Sequence, residues 1–448
     1  MYRQLFCLLT AGSLLVGTAV SWSAEKPNFV FIMADDLGWA DVAFHGGNAP
    51  TPTLDAMAET GLELRSHYVA PVCSPTRTGL LTGRYWSRFG VVHPQNERAL
   101  PWQTPTIASA LKSAGYQTAL VGKWHLGSLP EQGPQNFGFD ASYGSLAGGV
   151  TSWEHRYKTG PFSYTWHRDA ELITESGHVT DLITDNAIRW LRDHNDQPFF
   201  LYVPYTAVHL PVEEPEEWLE RVPQAVEGEV NRHYAACIMH LDDSVGRILQ
   251  TLDEIGKRGQ TLVVFTSDNG GSTAENRDEK YPNCTAPAGK LPGDNRPFRG
   301  KKGSVYEGGI RVPTLVDWPG TIKPRKDDTP VHVVDWLPTL CSLAGVTTDP
   351  GWNLDGINLS ELFLEDLAPP PRPLYVAGVG FRSAALREGD WKLVTFQGRD
   401  RKPDELYNLA SDPSEQKNMA DQEPQIVARL TRLLEEIRIR DNESKVTE

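Results

Sequence analysis

Short apolar runs and longer amphipathic segments alternate along most of the chain. The run Asn28–Met33 (NFVFIM) is nearly continuous, which is typical of a strand buried on both faces of a parallel sheet. Val179–His194 places apolar residues at helical spacing, which predicts a helix with one buried face. The pattern therefore predicts an α/β fold. The clearest predicted strands are Asn28–Met33, Thr118–Val121, Phe199–Val203 and Leu262–Phe265, and the clearest helices are Thr53–Thr60, Pro105–Ala114, Val179–His194 and Tyr234–Ile255.

Polar side chains follow each of these four strands. In an open parallel sheet, ligands bind at the edge formed by the carboxyl ends of the strands, so we expect these side chains to line one site. A solvated turn explains any single group of this kind, but four groups at one edge indicate a shared function. The residues concerned are Asp35, Asp36, Lys123, His125, His209, Asp268 and Asn269.

The sequence changes character beyond residue 320. Val331–Gly345 predicts a helix, residues 366–373 (DLAPPPRP) form a proline-rich connector, and residues 374–396 predict short strands separated by turns. Glu423–Ile439 has the apolar spacing of an amphipathic closing helix. These signals predict a large α/β domain followed by a small α+β subdomain with an antiparallel sheet. The expected bounds are residues 25–365 and residues 366–448.

Residues 1–24 have the layout of a secretory signal peptide. Arg3 precedes the apolar stretch Leu5–Val20, and small residues follow it. A membrane anchor is the alternative, but Thr10, Ser13 and a length short of a full span disfavour it. We therefore expect an exported protein, periplasmic or secreted, or lysosomal or extracellular in a eukaryote, with no stable membrane insertion.

The formal net charge of −15 restricts the partners of the protein. Nucleic acid is not expected, because binding of its phosphates needs a basic face. The charge also opposes an anionic substrate at long range, so a site for an anion must be a local positive pocket. Cys237, Cys284 and Cys341 remain once Cys7 and Cys73 are set aside, and their spacing predicts neither a disulfide framework nor a zinc site.

The run CSPTRTGLLTGRY begins at Cys73 and predicts the start of a helix. Ser74 is a capping residue, Pro75 suits the first helical position, and Gly83 ends the helix. Backbone N–H groups at such an end attract anions, and Arg77, one turn on, would add a guanidinium for a tetrahedral oxyanion. A buried structural cysteine beside an ordinary capped helix is the alternative interpretation.

The same run resembles the C-x-P-x-R signature of type I sulfatases, in which the cysteine is oxidised to formylglycine and its hydrate is the nucleophile. Other blocks also resemble sulfatase sequences in the expected order, and the chain is most similar to the arylsulfatase B group, the N-acetylgalactosamine-4-sulfatases. The resemblance implies an alkaline-phosphatase-like fold, with a mixed, mostly parallel sheet flanked by helices and a small C-terminal subdomain. The blocks are DDLGW at 35–39, TGRY at 82–85, GKWHLG at 122–127, VHLP at 208–211, SDNGG at 267–271 and RGKKGSVYEGGIR at 299–311.

The resemblance also implies a cofactor and a set of site residues. Calcium is expected, and the oxygen ligands available suit a hard cation. Lys123 and Lys302 would neutralise the sulfate group, with Lys302 preferred to Lys301 by its spacing to Glu307. A formylglycine-generating or other sulfatase-maturing enzyme is the implied partner that modifies Cys73. The implied metal ligands are Asp35, Asp36, Cys73, Asp268 and Asn269, and the implied catalytic residues are Cys73, Arg77, Lys123, His125, His209 and Lys302.

The implied reaction begins with in-line attack on sulfur by one hydroxyl of the hydrated aldehyde. His209, together with Lys302, would protonate the departing alcohol. His125 would then accept the proton of the second hydroxyl, so that sulfate is expelled and the aldehyde is regenerated. An unmodified serine or cysteine lacks this route because it has no second hydroxyl.

The expected substrate is a sulfated saccharide, attacked at the exposed end of a glycan. A chain of this negative charge would repel a polyanion lying along its surface, whereas a terminal sulfate needs only a local pocket. Residues 143–166 contain Trp153, Arg156 and Tyr164 among aromatic and polar groups that suit a sugar pocket. They equally suit a folded excursion with its own small core. Residues 271–299 are a second candidate rim.

Two other functions remain compatible with the sequence. A phosphodiesterase or phosphonate monoester hydrolase of the same superfamily would use the same metal and nucleophile. A non-catalytic protein that binds sulfated glycans would carry the same residues with Cys73 left unconverted. The chemical state of residue 73 and the turnover of sulfate and phosphate esters distinguish these alternatives.

Overall fold

The computed structural model describes residues 26–446, so the signal peptide predicted at 1–24 lies outside the described residues. Within that range, none of the helices is long and apolar enough to cross a membrane. The strands are β1 (Asn28–Ala34), β2 (Leu62–Leu64), β3 (His67–Tyr68), β4 (Gln117–Lys123), β5 (Ala141–Ser145), β6 (Trp166–Arg168), β7 (Glu171–Leu172), β8 (Phe199–Pro204), β9 (Thr261–Ser267), β10 (Leu315–Asp317), β11 (Arg325–Asp327), β12 (Val331–His332), β13 (Leu374–Ala377), β14 (Ser383–Glu388), β15 (Trp391–Phe396) and β16 (Glu405–Asn408). The helices are α1 (Pro52–Thr60), α2 (Cys73–Thr82), α3 (Ile107–Ser113), α4 (Val179–Asp193), α5 (Glu216–Leu219), α6 (Glu229–Glu254), α7 (Glu307–Ile310), α8 (Trp336–Leu343), α9 (Ser360–Glu365) and α10 (Pro424–Arg438).

Ten of these strands form one sheet in the order β11-β2-β10-β9-β1-β8-β4-β5-β6-β7. The central strands β9, β1, β8, β4 and β5 are all parallel. Antiparallel pairings join β10 on one side and β6 and β7 on the other. The predicted mixed, mostly parallel sheet is therefore confirmed, and the four strands predicted from apolar runs are four of the five parallel central strands.

Side chains of β1 alternate between two hydrophobic cores, one on each face of the sheet. Phe29, Phe31 and Met33 belong to a core that includes residues of α2, α3 and α8. Val30 and Ile32 belong to a second core that includes residues of α4 and α6. A strand that is buried on both faces has no polar alternation, which explains the continuous apolar run in the sequence.

The C-terminal segment forms a four-stranded antiparallel sheet in the order β13-β14-β15-β16, followed by α10. Leu386 and Leu393 of this sheet and Leu430 of α10 share one hydrophobic core with Trp86 of the large domain. The antiparallel subdomain with a closing helix is therefore confirmed as an architecture. The boundary at residue 365 stays a prediction, because one core runs beneath both sheets.

A buried ion cluster ties this small sheet to the large domain. The Lys392 ammonium lies 2.8 Å from the carboxylates of both Glu307 and Glu415. The backbone N–H of Glu307 also donates to the Glu415 carboxylate at 2.7 Å. Glu307 belongs to the block at 299–311, so part of that block serves the junction between the two sheets.

The predicted helix over Val331–Gly345 is wrong in its first part. Val331 and His332 form β12, which pairs with β3, and a short 3₁₀ turn over Val333–Asp335 precedes α8. The β-branched valines favour the extended pairing, and tertiary contact with β3 overrides the local helical spacing.

Candidate active site

The carboxyl ends of β1, β4 and β9, with the loop after β8, bring the predicted polar residues to one edge of the sheet. Strand β1 leads to Asp35 and Asp36, β4 ends at Lys123, and β9 leads to Asp268. The backbone N–H of Asp268 bonds the carbonyl of Ala34 at 3.0 Å, which fixes the two acidic turns side by side. The structure thus places these side chains together at one edge of the sheet.

Cys73 is the first residue of α2 and is buried at this edge. Its Sγ lies 3.6 Å from Asp35 Oδ1. Burial raises the pKa of the thiol to about 12, against the lowering effect of Lys123 and Lys302. An unmodified Cys73 thiol therefore stays protonated at neutral pH, and a protonated thiol is a poor nucleophile.

The capping role predicted for Ser74 is wrong. The residue preceding the helix is Val72, and Ser74 lies within the first turn. The Ser74 hydroxyl donates to the carbonyl of His125 at 2.9 Å and accepts from the backbone N–H of Gln95 at 3.1 Å. Ser74 thus fixes the helix start against the loop that carries His125. The predicted end of this helix at Gly83 is confirmed, since Gly83 follows the last residue of α2 with a left-handed φ of 66°.

Three carboxylates and the sulfur of Cys73 converge beside the helix start. One ligand atom each of Asp35, Asp36, Cys73 and Asp268 lies within 4.8 Å of the others, and all four residues are buried. Burial and the neighbouring Asp268 raise the pKa of Asp35 to about 8. Burial also opposes ionisation of Asp36, but Lys302 and His209 lower its pKa to about 2.

Asn269 completes this group with an oxygen suited to a cation. Its amide nitrogen donates to Asp36 Oδ1 at 2.8 Å and to the carbonyl of Gly270 at 3.0 Å. Its Oδ1 atom is buried and accepts no hydrogen bond from residues 26–446. Four oxygen-bearing side chains with one buried, unpaired amide oxygen fit a hard cation such as calcium or magnesium.

Two lysines bring positive charge to the same edge. The Lys123 ammonium donates to Asp35, and both side chains are fully buried. The Lys302 ammonium lies 2.7 Å from Asp36 Oδ2. The adjacent Lys301 instead donates to Thr273 at the surface. The spacing argument that preferred Lys302 to Lys301 therefore selected the lysine that reaches the site.

Arg77 is placed differently from the prediction. Its Nη2 donates to Asp268 Oδ2 at 2.8 Å, and its Nη1 donates to the carbonyl of Lys123 at 2.9 Å. The side chain is fully buried, and these two nitrogens of its guanidinium are paired with Asp268 and the end of β4. The i, i+4 spacing from Cys73 was correct, but the acidic turn after β9 takes the guanidinium.

Two histidines lie on the side of the site that faces the loops. His125 is buried, and burial together with Lys123 and Arg77 lowers its pKa well below 6.5. His209 Nε2 lies 3.9 Å from Asp36 Oδ2. Burial and Lys302 lower the pKa of His209 as well, although Asp36 opposes this shift. Both imidazoles are therefore neutral at neutral pH.

Two residues of this edge have a left-handed backbone conformation. Asp36 and His125 have φ of 66° and 58°, a left-handed conformation that costs energy for any residue with a Cβ atom. Gly148 lies directly against His125, since a Cβ at that position would come within 2.4 Å of His125 Nε2. The fold thus holds both side chains in orientations that the local sequence does not favour.

The local charge differs from the charge of the whole chain. With all three carboxylates ionised, Asp35, Asp36 and Asp268 carry three negative charges, and Arg77, Lys123 and Lys302 carry three positive ones. A bound divalent cation would therefore leave an excess of two positive charges at this edge. A pocket of this kind attracts an anionic ester locally despite the net charge of −15.

The two excursions predicted as rims pack against each other. The backbone N–H of Thr159 donates to the carbonyl of Lys280 at 2.7 Å, and Lys158 pairs with Asp278 at 3.1 Å. Asn283 donates to the Glu154 carboxylate at 3.1 Å. Residues 143–166 and 271–299 thus form one wall beside His209. Sequence reasoning left the relation between them open because the contacts join segments more than a hundred residues apart.

A second polar cluster lies outside this edge. His240 Nδ1 faces Glu214 Oε2 at 2.8 Å, and its Nε2 faces Asp181 Oδ1 at 3.2 Å. The His178 ring stacks on the His240 ring with centroids 5.0 Å apart. Both nitrogens of His240 are occupied by carboxylates, so the cluster is an imidazolium ion held between two acids.

The fold and this edge together define a class of enzyme. A mostly parallel sheet carries a group of oxygen ligands that fits a hard cation, a buried cysteine at a helix start, two lysines and two histidines. Enzymes that hydrolyse anionic esters use groups of these kinds. Residues 27–346 match the family model described as Sulfatase. The chain therefore belongs to the sulfatase family, and it is a sulfuric ester hydrolase. The family resemblance inferred from the sequence motifs is confirmed.

Individual relatives cover nearly the whole chain. Arylsulfatase J of Mus musculus is 32% identical over 93% of this chain and 76% of its own length. The N-acetylgalactosamine-6-O-sulfatase of Bacteroides thetaiotaomicron is 28% identical over 93% of this chain and 94% of its own. The solved structure of Ps i-CgsB with k-i-k-neocarrahexaose matches with a TM-score of 0.84 and 29% identity, covering 95% of each chain. The 4-sulfatase subgroup inferred from the motifs stays a prediction.

Proposed function

We propose that the protein hydrolyses sulfate esters of a saccharide, using a formylglycine made from Cys73 and a calcium ion. The observation that carries the proposal is the position of Cys73 at the start of α2, 3.6 Å from Asp35 within the cluster of carboxylates. The buried thiol is poorly suited to nucleophilic attack in its unmodified form. A hydrated aldehyde at this position would supply the hydroxyl nucleophile that the thiol cannot.

Asp35, Asp36, Asp268 and Asn269, with the modified side chain of residue 73, would hold the calcium ion. When bound, the ion supplies positive charge to the sulfate oxygens and lowers the pKa of a coordinated hydroxyl. Magnesium fits the same donors less well, because it demands a stricter octahedral geometry and keeps more of its water.

The cationic side chains bind and orient the sulfate group. Lys123 and Lys302 present ammonium groups at the edge, each next to one carboxylate of the cluster. Arg77 instead hydrogen-bonds Asp268 and the carbonyl of Lys123, and so fixes the turn after β9 and the end of β4. It is therefore a positioning residue, and we assign the direct sulfate contacts to the two lysines.

The two histidines move protons. His209 Nε2 and the Lys302 ammonium both lie beside Asp36. Burial disfavours the charged form of Lys302, but Asp36 raises the pKa of its ammonium, so the pair would protonate the departing alcohol with Lys302 as the source of the proton. His125 is neutral and its Nδ1 is buried without a hydrogen-bond partner in the described part of the chain. It is therefore able to accept the proton that must leave the nucleophilic side chain after sulfate transfer.

The saccharide assignment draws on the relatives and on charge. Related proteins include N-acetylgalactosamine-6-sulfatases, and one structural match is a complex with k-i-k-neocarrahexaose. The predicted signal peptide would place the enzyme outside the cytoplasm, where sulfated glycans occur. The net charge favours attack on terminal sulfates, because it repels a long polyanion.

The proposal is tested with a panel of esters and with one variant that is expected to be inactive. The panel contains 4-nitrophenyl sulfate, the 4-sulfate and 6-sulfate of N-acetylgalactosamine, k-i-k-neocarrahexaose and bis(4-nitrophenyl) phosphate. We expect sulfate release from at least one saccharide, none from Cys73→Ala, and loss from chain ends before internal positions. Turnover confined to the phosphate diester would reject the proposal in favour of a phosphodiesterase. Full activity of Cys73→Ala would reject the nucleophile.

A further inference from the structure

Tyr281 carries a buried hydroxyl that the reaction described above does not use. The residue is 2% exposed, and its hydroxyl forms no hydrogen bond with any residue between 26 and 446. A buried hydroxyl without a partner destabilises a fold, because its interactions with water are lost and nothing replaces them. Such a group in a native structure calls for an explanation, and a ligand that completes the bond is one.

The surroundings of the hydroxyl connect it to the active site. A Cβ added at Gly149 would lie 2.9 Å from the Tyr281 hydroxyl and 3.1 Å from His209 Nδ1. Both groups therefore pack closely against Gly149, and a side chain at residue 149 would collide with them.

The ring of Tyr281 is held firmly in this position. Tyr157 packs edge-on against it, with centroids 5.9 Å apart. The Lys158 ammonium lies 5.4 Å from the ring centroid and is itself paired with Asp278 at 3.1 Å. The backbone N–H of Tyr281 donates to the carbonyl of Asp278 at 2.9 Å. The ring is thus positioned by both excursions, while its hydroxyl is left unpaired.

We infer that Tyr281 determines substrate specificity, because its hydroxyl donates a hydrogen bond to the saccharide portion of the substrate beside the oxygen that His209 protonates. The inference rests on the proposed function and deepens it. Burial and the neighbouring Tyr157 raise the pKa of the phenol well above 10, so the hydroxyl keeps its proton at any pH at which the enzyme works. A neutral donor suits a sugar hydroxyl or ring oxygen, whereas the lysines already serve the sulfate.

The test compares Tyr281→Phe with the unaltered enzyme on two substrates. The saccharide is the panel member that the unaltered enzyme turns over best, and 4-nitrophenyl sulfate is the reference because it has no sugar hydroxyl. We expect kcat/KM for the saccharide to fall about tenfold, the value of one buried hydrogen bond, with no change for the aryl ester. Thermal unfolding should show Tyr281→Phe to be as stable as the unaltered enzyme or more stable, since it loses only an unpaired hydroxyl.

Tyr116→Phe is the control, because it removes a tyrosine hydroxyl just before β4, at the end of the sheet opposite the site, where it donates to the carbonyl of Pro27 at 2.9 Å. It should change neither substrate. Equal losses of Tyr281→Phe on both substrates, no loss on the saccharide, or a lowered unfolding temperature would each overturn the inference. Failure of the unaltered enzyme on every saccharide would instead reject the proposed function, and the inference with it.

Discussion

Arg77 Nη2 lies 2.8 Å from Asp268 Oδ2, and neither side chain is exposed to solvent. The second nitrogen of the guanidinium bonds the carbonyl of Lys123 at 2.9 Å, so one side chain connects α2, β4 and the turn after β9. Three of the elements that build the active site are thus joined through a single buried cation. The arrangement makes Arg77 a support for Asp268, which we propose as a metal ligand, and for the lysine at the end of β4.

Replacing Arg77 should therefore affect stability and the cation together. Arg77→Gln leaves Asp268 as a buried carboxylate without its partner, which should lower the free energy of unfolding by about 3 kcal/mol or more. The loss should be larger in a chelator than in calcium, because the ion neutralises the same carboxylate. Urea unfolding with and without calcium measures both effects. An equal loss in the two conditions would show that Arg77 and the cation act independently.

Adjacent lysines offer a matched pair of variants. Lys302→Ala removes the ammonium that lies 2.7 Å from Asp36, and kcat/KM for a sulfate ester should fall about a hundredfold, as for other charge-stabilising donors. Lys301→Ala removes a surface lysine bonded to Thr273 and should leave the rate unchanged. Steady-state kinetics of both variants decide the assignment. A large effect of Lys301→Ala with none of Lys302→Ala would reverse it.

The cation assignment predicts a linked loss of binding and activity. Calcium at about a hundred times its Kd should raise the free energy of unfolding by about 2.7 kcal/mol over the chelated protein. Asp36→Ala should abolish most of that gain and most of the turnover, whereas Asp328→Ala, at an exposed carboxylate, should preserve both. Elemental analysis should find calcium in the purified protein. Stoichiometric zinc without calcium, together with an active Asp36→Ala variant, would contradict the assignment.

His240 predicts how stability depends on pH. Burial opposes its protonation, but hydrogen bonds to Asp181 and Glu214 raise its pKa from 6.5 to about 9. A raised folded-state pKa stabilises the fold fully below the unfolded value and loses that effect as the pH rises through the folded value. The free energy of unfolding should therefore fall by about 2 kcal/mol between pH 6.5 and 9.

The matched variant is His240→Gln, which removes the titrating group. Urea unfolding across this pH range should give it a markedly flatter profile than the unaltered protein. Identical profiles would show that other groups dominate the dependence on pH. The active-site histidines are a separate matter, because their pKa values depend on the occupancy of the cation site.

Much of the sheet was predictable from the sequence, because a strand buried on both faces needs an unbroken apolar run. Strands β1 and β9 were predicted in this way from Asn28–Met33 and Leu262–Phe265, and each strand leads to a carboxylate of the candidate active site. The helical spacing of Val331–Gly345 predicted a helix that begins too early. Val331 instead pairs with His67 in a strand, and this pairing is a tertiary contact that local spacing does not reveal.

The other features of the site depend on contacts between segments that are distant in sequence, so the sequence did not predict them. The residue types and positions of the site followed from the motifs, but the partner of Arg77 depends on a turn 191 residues away. Tyr281 stands in a loop with no periodic pattern, so nothing local distinguished it from a surface tyrosine. The contacts of Gly148 and Gly149 with the two histidines likewise appear only in the folded chain.

The state of residue 73 is the central claim, and mass spectrometry measures it directly. A proteolytic peptide containing Cys73 is analysed from the protein produced with a sulfatase-maturing enzyme and from protein produced without one. The account predicts an aldehyde in place of the thiol in the first preparation, with sulfate ester turnover in proportion to the converted fraction, and an unmodified cysteine without turnover in the second. Full sulfatase activity in a preparation whose peptide contains only unmodified Cys73 would contradict the account.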